Sequence, residues 1–457
     1  MGRIQLQAVP RLTMARQRNV LLAVCLISLA TLWGCRLPRI CLFDQCNADI
    51  TRGPLAHRAL DLSDPDAPFV GWPLARVCAE TTTWTPGLVF ICDNNSGGIG
   101  NIRNFILTCL RYAIEAGATG LVMPQIRTRS VDNLADLMMA YKEFDYFFDG
   151  HHFRTGLATH CPQMTIFNQT WDIPNLRQRF QPEMITPRDF GLRGGCDQRD
   201  LNRHADLFGS GFHAWLRETA AERKWPATSQ AHPRVIRLNW GVQWDWPVYN
   251  DGPEFVATYG GLLRFREDIL ELGKAVSDAM RRFAAETTKE GGGAGFAGFH
   301  LRTEKDALKG WPNFDDQTTA YLREASHRGF GAGYLATGDE TEAAKFVGEA
   351  KFRHQMRVAT KNDLLQTHPD DMQALQALSW DQQAIVDYLV LLWSDYFVGV
   401  SPSSFSMTVA LKRHLQMDGL YTRPWKIGRE GDGRSWLVGK FDHYWDDWLF
   451  MYESLWP

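Results

Sequence analysis

Short apolar runs alternate with turns and amphipathic helical patterns, and this alternation restricts the possible fold more than any other feature of the chain. Residues 87–92 read GLVFIC, a strand pattern, and a glycine-rich turn over 93–101 follows. From Ile102 to Ile114 apolar residues recur at the spacing of one helix face. The run TGLVMP at 119–124 predicts the next buried strand. Together these elements predict a βαβ unit with the glycine turn at the carboxyl end of its first strand.

The second half of the chain repeats the alternation. Strand patterns at 296–301, 333–337, 357–360 and 396–400 are separated by helical patterns over 316–327, 339–349 and 381–394, and a last helix follows over 405–413. A chain of 457 residues is too long for one ordinary core. We therefore expect an α/β protein with two Rossmann-like, doubly wound halves, joined near 240–260 and facing a cleft.

The N-terminus carries a targeting pattern. Arg11, Arg16 and Arg18 precede an uncharged apolar stretch. This pattern predicts a cytosolic tail over 1–18 and a signal-anchor transmembrane helix over 19–35. The stretch is short, which suits the thin membranes of the early secretory pathway. A cleaved signal peptide is the alternative.

After the anchor we expect a stem over 36–75, an N-terminal Rossmann-like domain over 76–245 and a C-terminal one over 246–457. All nine cysteines lie between Cys25 and Cys196, and their spacings match no zinc finger. Disulfides in the N-terminal half are the better interpretation. Seven cysteines follow the anchor, so at least one stays free or pairs elsewhere: Cys41, Cys46, Cys78, Cys92, Cys109, Cys161 and Cys196.

Three stretches come directly after predicted strands, where open α/β sheets bind ligands. They are GGIGNIR (97–103), HLRTEKD (300–306) and SPSSFS (401–406). Ser403 and Ser404 in the third open a helix, whose free N–H groups and dipole favour an anion. The alternative is that these serines only cap the helix.

Arg302 ends the strand of the second stretch. A guanidinium there can grip phosphate oxygens through paired hydrogen bonds and neutralise the charge of a leaving diphosphate. His300 lies two residues earlier, on the same face of the strand. A salt bridge from Arg302 to Asp306 that fixes the loop is the structural alternative, and the two roles are compatible.

Metal and nucleic acid find little support. Asp64-Pro65-Asp66, the only Asp-x-Asp, reads as a turn, and His151, His152, His160 and Cys161 follow no familiar zinc spacing. Lys and Arg total 49 against 52 Asp and Glu, so no basic excess favours nucleic acid. Two glycosylation sequons begin at Asn94 and Asn168, and the first overlaps the glycine turn.

In this order and at these distances, the three stretches resemble the protein O-fucosyltransferase family and related GDP-fucose-using GT-B enzymes. GGIGN followed by an apolar helix and LVMP is similar to the family's glycine–Asn motif. FHLRTEKD matches its His-x-Arg-x-x-x-Asp pattern, and residues 386–406 are similar to its donor-site segment. The similarity covers roughly 85–415. Stretches such as 196–250 look like insertions particular to this sequence.

The resemblance implies roles for individual residues of the second and third stretches. Arg302 would contact the diphosphate and fucose and stabilise the leaving GDP, with Asp306 completing its motif. His300 would help to hold the nucleotide. The phosphate and sugar pocket would be lined by Ser403, Ser404 and Phe405.

The resemblance also implies roles for residues on the acceptor side of the cleft and near the guanine of the nucleotide. Asn101 would lie across the cleft, near the diphosphate and the acceptor. Gly98 and Gly100 would allow close backbone approach. Asp387, or alternatively Asp381, would contact the guanine or position its helix.

The implied activity is transfer of fucose from GDP-fucose to a hydroxyl of a protein or glycan, with inversion and without metal or other cofactor, in the ER or Golgi lumen. The glycine turn lacks the Glu that some relatives carry, and Asp93 is the nearest carboxylate. A lumenal GDP-sugar-binding protein without transferase activity is therefore the alternative. A third option is a different donor or acceptor, such as a cell-wall polysaccharide. The aromatic tail 441–457 would bear on it, or serve as a hydrophobic docking segment.

Overall fold

The computed structural model describes residues 60–130, 136, 139–190, 204–289, 295–304, 310–418 and 431–457. The predicted cytosolic tail and signal-anchor, most of the stem, Asp306 and five of the nine cysteines lie outside these ranges. Within the described part of the chain, no helix has the length and apolar character needed to cross a membrane.

Parallel strands dominate the structure, as the alternation of apolar runs and helices predicts. The strands are β1 Thr85–Ile91, β2 Ala118–Val122, β3 Ile126–Arg127, β4 Tyr141–Lys142, β5 Thr165–Phe167, β6 Glu183–Ile185, β7 Arg234–Leu238, β8 Ala297–His300, β9 Ala332–Ala336, β10 Arg357–Ala359, β11 Tyr396–Val400 and β12 Ser435–Val438. The α/β class is confirmed.

Two five-stranded sheets form the framework. The first has the order β5-β2-β1-β7-β6 and the second β10-β9-β8-β11-β12. Every strand pair within them is parallel, whereas β3 and β4 form a separate antiparallel pair. The order of the second sheet is that of a Rossmann half. Its first three strands are added toward one edge, and the fourth strand returns to the other side of the first. That reversal lies between β8 and β11.

Helices connect the strands and cover the sheets. They are α1 Trp72–Glu80, α2 Ile99–Glu115, α3 Gly150–His160, α4 His204–Glu222, α5 Pro253–Tyr259, α6 Glu267–Lys289, α7 Phe314–His327, α8 Glu340–His354, α9 Lys361–Leu365, α10 Pro369–Ala377, α11 Trp380–Leu392, α12 Ser404–Asp418 and α13 Phe450–Ser454. Gly117, with φ +64°, ends α2 as predicted. Buried side chains of α2, α11 and α12 belong to one apolar cluster that spans both sheets.

The interpretation of residues 196–250 as an insertion is wrong for its second part. β7 lies within this segment and pairs along its length with β1, at the centre of the first sheet. Arg234 and Arg237 interrupt the apolar pattern of β7. Arg234 is nevertheless buried, because Glu183 of the neighbouring strand accepts its Nε–H at 2.8 Å. Because its arginine is buried only through hydrogen bonds to a distant carboxylate, β7 lacks the apolar sequence pattern of a buried strand.

The end of the predicted stem packs against the helical layer. Asp66 accepts hydrogen bonds from Arg264 at 2.9 Å and Lys274 at 2.6 Å, and Phe69 packs on the main apolar cluster. The Ala67 N–H donates to the Asp64 carbonyl at 3.1 Å and closes a turn over Asp64-Pro65-Asp66, so the Asp-x-Asp sequence is a turn, as predicted.

Two disulfides stabilise the N-terminal half, as the cysteine distribution predicts. Cys78 bonds to Cys161, and Cys92 bonds to Cys109. The second bond joins the residue after β1 to the middle of α2 and so fixes both ends of the glycine turn. Because Cys161 is in a disulfide, it cannot complete a zinc site with the nearby histidines.

The C-terminal tail returns from the second sheet to the first half of the chain. After β12 it passes the cleft, and Trp456 ends fully buried against Phe255 and Tyr259. The Trp456 indole N–H donates to Thr108 of α2 at 3.1 Å. The docking interpretation of this aromatic tail thus agrees with its packing.

Candidate functional site

A cleft of about 470 Å³ lies at the carboxyl ends of the central strands of both sheets. From the first sheet it receives the glycine turn after β1 and the segment after β7; from the second, the loops after β8, β9 and β11. β1 and β7 in the first sheet, and β8 and β11 in the second, are neighbours at the point where the strand order reverses. Such folds bind ligands at this point. All three sequence stretches therefore reach one cavity.

The loop after β8 is held by a buried glutamine. Gln317 of α7, fully buried, accepts the Arg302 backbone N–H at 2.9 Å and donates to the Arg302 and Pro312 carbonyls at 2.9 and 2.7 Å. Tyr321 on the same helix donates to the His300 carbonyl at 2.9 Å. These bonds fix the backbone of the chain where it leaves the strand, and with it the direction of the Arg302 side chain.

The Arg302 guanidinium lies in the cleft beside a carboxylate. Its Nη1 contacts Glu304 at 2.5 Å, and its side chain is 16% exposed. Glu304 also accepts the Gly338 N–H at 3.0 Å, which ties the loop after β8 to the loop after β9. The Trp311 ring stands 5.9 Å from the guanidinium carbon. The cation is therefore oriented but still open to the cavity.

His300 is the neutral polar group of the site. Burial, opposed by Glu304 and reinforced by Arg302, lowers its pKa to about 4. Its Nδ1 lies 2.7 Å from the Ser406 hydroxyl, and its ring packs on Phe405 at 4.4 Å. Ser406 already accepts the Val400 N–H. If the hydroxyl donates its proton to Nδ1, Nε2 carries the hydrogen and can donate to a ligand.

The N-terminus of α12 forms another wall of the cleft. Ser403 precedes the helix and accepts the Ser406 N–H at 3.5 Å, so it caps the helix, while Ser404 begins it. Ser403, Ser404 and Phe405 all line the cavity. Capping and anion binding coexist here, because a helix of 15 residues leaves further N–H groups at this end.

The glycine turn lines the same cleft as Ser404 but belongs to the first half of the chain. Asn95 shapes it by donating to the Gln125 carbonyl at 2.7 Å and accepting the Arg127 N–H at 3.0 Å. Gly97 has φ +95°, which glycine alone adopts freely, and Asn101 faces the cavity. The amide of the sequon residue Asn94 donates to the Leu238 carbonyl at 3.2 Å and is therefore already used.

Gly98 and Gly100 differ in their surroundings. A Cβ on Gly100 would lie 2.9 Å from the Ser404 carbonyl and 3.0 Å from the Phe405 nitrogen. A Cβ on Gly98 would meet only the end of Arg129, at 3.8 Å. Gly100 thus permits α2 and α12 to touch at their N-termini, beneath the cavity, and Gly98 lines the cavity itself.

The far end of the cleft carries ion-paired carboxylates. Asp387 is buried between Tyr334 at 2.6 Å and Lys361 at 2.7 Å. Asp381 pairs with Arg129 at 3.4 Å, and burial, opposed by Arg129, raises its pKa. Since Arg129 belongs to the first half of the chain, this pair joins the two halves across the cavity.

The sequence profile of one family decides the relationship: the GDP-fucose protein O-fucosyltransferase profile matches residues 88–416. The chain belongs to this family. It is thus a member of a family of GDP-fucose-dependent fucosyltransferases, and the resemblance inferred from the three stretches is confirmed. The match includes most of β1, the glycine turn, the loops after β8, β9 and β11, and nearly all of α12. No curated protein sequence matches the chain.

Solved fucosyltransferase structures are similar to the chain at low identity. POFUT1 in complex with GDP-fucose is 13% identical with a TM-score of 0.41, over 79% of this chain and 100% of that one. A variant of Arabidopsis thaliana FUT1 in complex with GDP is 10% identical, TM-score 0.34, over 74% and 71%. Fucosyltransferase NodZ from Bradyrhizobium is 14% identical, TM-score 0.32, over 72% and 93%.

Most residues that the family resemblance singles out line the cleft of this O-fucosyltransferase family member. They are Gly98, Asn101, His300, Arg302, Asp387, Ser403, Ser404 and Phe405. Gly100 lies beneath it, and Asp306 falls outside the described residues. Asp387 is engaged with Tyr334 and Lys361, so its nearest contacts position a helix.

Sequence reasoning misplaced one residue and missed others. Asp93, the alternative base, does not line the cleft; it is buried against Arg237 at 2.6 Å. The missed lining residues come from distant parts of the chain and include Arg129, Trp240, Trp244, Glu304, Trp311, Lys361, Trp380 and Trp448. Glu304 lay within one of the three stretches, and Trp448 lay within the aromatic tail 441–457. The rest follow no local pattern that links them to the cavity.

Charged groups in the cleft suit a diphosphate better than a metal. Arg302 and the N-terminus of α12 supply positive charge at one end. In the described ranges, no cluster of three His, Cys, Asp or Glu side chains is arranged to hold a metal ion. The carboxylates that line the cleft pair with cations where they are buried: Glu304 with Arg302, Asp381 with Arg129 and Asp387 with Lys361.

Proposed function

We propose that the chain transfers fucose from GDP-fucose to a hydroxyl of a protein or glycan, with inversion at the anomeric carbon and without a metal ion. One observation carries this proposal. Arg302 and the N-terminal turn of α12 face the same cavity from two loops of one sheet. A diphosphate bound between them would meet a fixed guanidinium and several backbone N–H donors.

Stabilisation of the leaving group would supply most of the rate enhancement. As the bond from C1 of fucose to the β-phosphate oxygen breaks, its electron pair stays on GDP. Arg302 and the α12 N–H groups would compensate this charge, which is worth more in a cavity that excludes water. His300 would donate from Nε2 to an oxygen of the donor. It stays neutral at pH 7, because its pKa is about 4.

The acceptor would attack from the side of the glycine turn. Its hydroxyl oxygen forms the new bond to C1 opposite the departing phosphate, which inverts the configuration. Asn101, on that side, would orient the hydroxyl. The hydroxyl proton passes to the released diphosphate, since Glu304, Asp381 and Asp387 are each already engaged by a cation.

Donor binding and metal dependence test this proposal. The full chain is titrated with GDP, GDP-fucose and UDP-sugars by thermal shift, where ligand at 100 times Kd adds about 2.7 kcal/mol of stability. We expect selective stabilisation by GDP and GDP-fucose, and fucose transfer that persists in EDTA. No binding of either guanine nucleotide would refute the function; loss of transfer in EDTA would refute only its metal independence.

Arg302→Ala tests the role of the cation. We expect kcat to fall about 10²- to 10³-fold, the usual cost of one charge contact in a closed site. Arg353→Ala is the matched control, since Arg353 is 68% exposed on α8 and pairs only with Glu349 of its own helix at 3.6 Å. Equal activities of the two variants would contradict the leaving-group role.

A GDP-sugar-binding protein without transferase activity is the second candidate. The absence of a Glu from the glycine turn and the ion pair of Asp93 with Arg237 favour it, because an inverting transfer usually uses a base. Tight GDP binding combined with no transfer to any acceptor would decide for this candidate.

We further propose that the chain is a single-pass type II protein of the ER or Golgi, with the cleft in the lumen. The apolar segment at 19–35 supports this topology, and the two disulfides support an oxidising compartment. Glycosidase treatment provides the test. We expect a mobility shift that Asn168→Gln abolishes, since Asn168 is exposed whereas the Asn94 amide is bonded. A chain without any glycan would count against the lumenal location.

A further inference from the structure

A second open space adjoins the donor cleft. This space of about 810 Å³ runs beside α7 and the end of β12, and it shares three lining residues with the cleft: Trp311, Pro402 and Trp448. We call it the Trp311–Trp448 groove. These three residues form the boundary that the groove shares with the cleft.

The junction lies at the phosphate end of the cleft. Pro402 directly precedes Ser403, and the Trp311 ring is 5.9 Å from the Arg302 guanidinium carbon. The ion pair of Asp387 with Lys361 lines the cleft but not the groove. The sugar of a nucleotide sugar projects from its diphosphate, so a fucose bound there would stand at the mouth of the groove.

We propose that the Trp311–Trp448 groove binds the acceptor, and that the acceptor is an uncharged saccharide chain. This inference rests on the proposed transferase function. A group that receives fucose must approach C1 opposite the departing phosphate, so the groove would hold the body of the acceptor while its reactive hydroxyl crosses the junction toward Asn101.

Two indole rings flank the mouth of the groove. Trp311 and Trp448 are both partly exposed, and Trp448 packs against Phe450 at 5.7 Å. Flat aromatic faces complement the C–H faces of a pyranose ring, and each indole adds one N–H donor at its edge. A sugar unit that passes between the rings would be oriented before it reaches the donor.

Trp311 has an unsatisfied donor. Its indole N–H is buried and finds no acceptor among the residues that the structure describes, and the same holds for Trp240 in the wall of the cleft. Buried donors in folded proteins almost always have a partner, so an unpaired one in a binding cavity indicates a place for a ligand acceptor. Hydroxyl and ring oxygens of a saccharide are such acceptors.

The groove beyond the indoles is polar and carries more acidic than basic side chains. Asp316 and Asp447 accept backbone N–H groups at 3.2 and 2.9 Å, so they shape local backbone. The other charged lining residues are exposed, two acidic and two basic: Asp315, Asp446, Arg323 and Lys440. With four Asp against two basic side chains, the lining disfavours an anionic ligand and offers acceptors to hydroxyl groups, which suits an uncharged saccharide.

A polypeptide acceptor fits these walls less well. Protein interfaces centre on apolar anchors that fill desolvated pockets. Apart from the two indoles, the apolar lining of the groove consists of small or short side chains: Pro312, Ala320, Pro402 and Val438. Such a lining offers no pocket for a large apolar anchor. A protein acceptor is therefore the competing outcome of the test.

The test uses the full chain saturated with GDP. The probes are cellohexaose, xylohexaose, mannohexaose, chitohexaose and a galactan oligosaccharide, beside Ser/Thr-containing peptides and a small disulfide-bonded domain. Binding is followed by tryptophan fluorescence and by saturation-transfer NMR, and transfer by labelled GDP-fucose. We expect at least one saccharide to bind and to accept fucose at least tenfold faster than any polypeptide.

Matched variants locate the binding. Asp315→Asn combined with Asp446→Asn removes two carboxylate acceptors, and we expect the Kd of the bound saccharide to rise about tenfold. The Kd for GDP, measured on the same variant, reports whether the donor cleft is intact. Trp445→Ala is the control, because Trp445 is 50% exposed on the same tail and lines neither cavity; we expect it to change neither constant.

The possible results distinguish failure of the saccharide groove from failure of the proposed transferase function. Failure to bind GDP or GDP-fucose refutes the transferase proposal itself. Intact GDP binding with no saccharide bound, transfer to polypeptides alone, or a saccharide Kd that the double variant leaves unchanged would each overturn the saccharide groove.

Discussion

Gly100→Ala tests whether contact between two helix ends sets the geometry of the donor cleft. The added methyl carbon would lie 2.9 Å from both the carbonyl carbon and oxygen of Ser404 and 3.0 Å from the Phe405 nitrogen. Ordinary contacts of a methyl group start near 3.4 Å. All three neighbours are backbone atoms, so no side chain can rotate away. The N-termini of α2 and α12 must separate by about 0.5 Å, the difference between these distances.

The expected magnitudes follow from this displacement. Overpacking a close contact costs about 1–3 kcal/mol, and replacing a helical glycine by alanine returns about 0.5–1 kcal/mol. We therefore expect a net loss of about 1–2 kcal/mol of unfolding free energy. The displacement also moves Asn101 away from Ser404 across the cleft. A 1 Å misplacement can cost about 10²-fold in rate, so half of it predicts about a tenfold fall in kcat.

Gly98→Ala provides the matched control in the same turn. Gly98 has φ −76°, which alanine adopts without strain, and its nearest neighbour would be the mobile end of Arg129 at 3.8 Å. Loss of a glycine N-cap costs up to about 1 kcal/mol in stability. It should leave the helix spacing nearly unchanged, and its methyl group inside the cleft should change KM for GDP-fucose rather than kcat.

The assay measures Tm by thermal denaturation, and kcat and KM for GDP-fucose, on both variants and the parent chain. We expect Gly100→Ala alone to lower kcat. If both variants lower kcat equally, or if neither does, the contact between α2 and α12 does not set the cleft, and the reasoning from Gly100 fails.

Three further predictions concern the framework of the site. Gln317→Leu leaves the Arg302 N–H and two carbonyls without their bonds, so we expect a loss of about 3 kcal/mol and a lower kcat; unchanged Tm and kcat would contradict the positioning role. His300 is neutral when folded, with its pKa lowered from 6.5 to about 4, so the unfolded chain binds more protons between these pH values. Stability is then fully present above pH 6.5 and falls by about 3 kcal/mol as pH drops to 4. His300→Asn should remove that part of the slope in urea titrations, and an identical slope in the variant would refute it. Loss of the disulfide through Cys92→Ser with Cys109→Ser, which opens a loop of 17 residues, should cost about 3 kcal/mol and weaken GDP-fucose binding, whereas unchanged binding would show that the turn holds its shape alone.

Much of the second sheet could be predicted from local sequence. The run YFVGV coincides with β11, Tyr396–Val400, because every residue of it is buried and polar residues bound it on both sides. Such a buried parallel strand needs no alternation, and its limits are visible as a change of polarity. The strand-end rule then placed Arg302 and Ser403 at one cavity without knowledge of any contact.

Elements that depend on distant partners could not be predicted. β7 contains two arginines that depend on carboxylates distant in the chain: Arg234 is buried against Glu183, and Arg237, with 30% of its side chain exposed, pairs with Asp93. The cleft shows the same limit. Trp448 reaches it through a tail folded back across the molecule, and Arg129 through an ion pair with Asp381, 252 residues further along the chain. The local sequence pattern around a residue does not indicate which distant residue it will contact.

The returning tail has a consequence for how this enzyme can be divided. Asn104 of α2 binds the tail twice, donating to the Ser454 carbonyl at 3.0 Å and accepting the Trp456 N–H at 3.1 Å. The half that contains β1 is therefore assembled from two separate stretches of chain. A fragment cut between the sheets would leave the slot of Trp456 open, with Phe255 and Tyr259 facing water. Expression of either half alone should give an aggregating product, whereas co-expression of both pieces should restore a soluble complex.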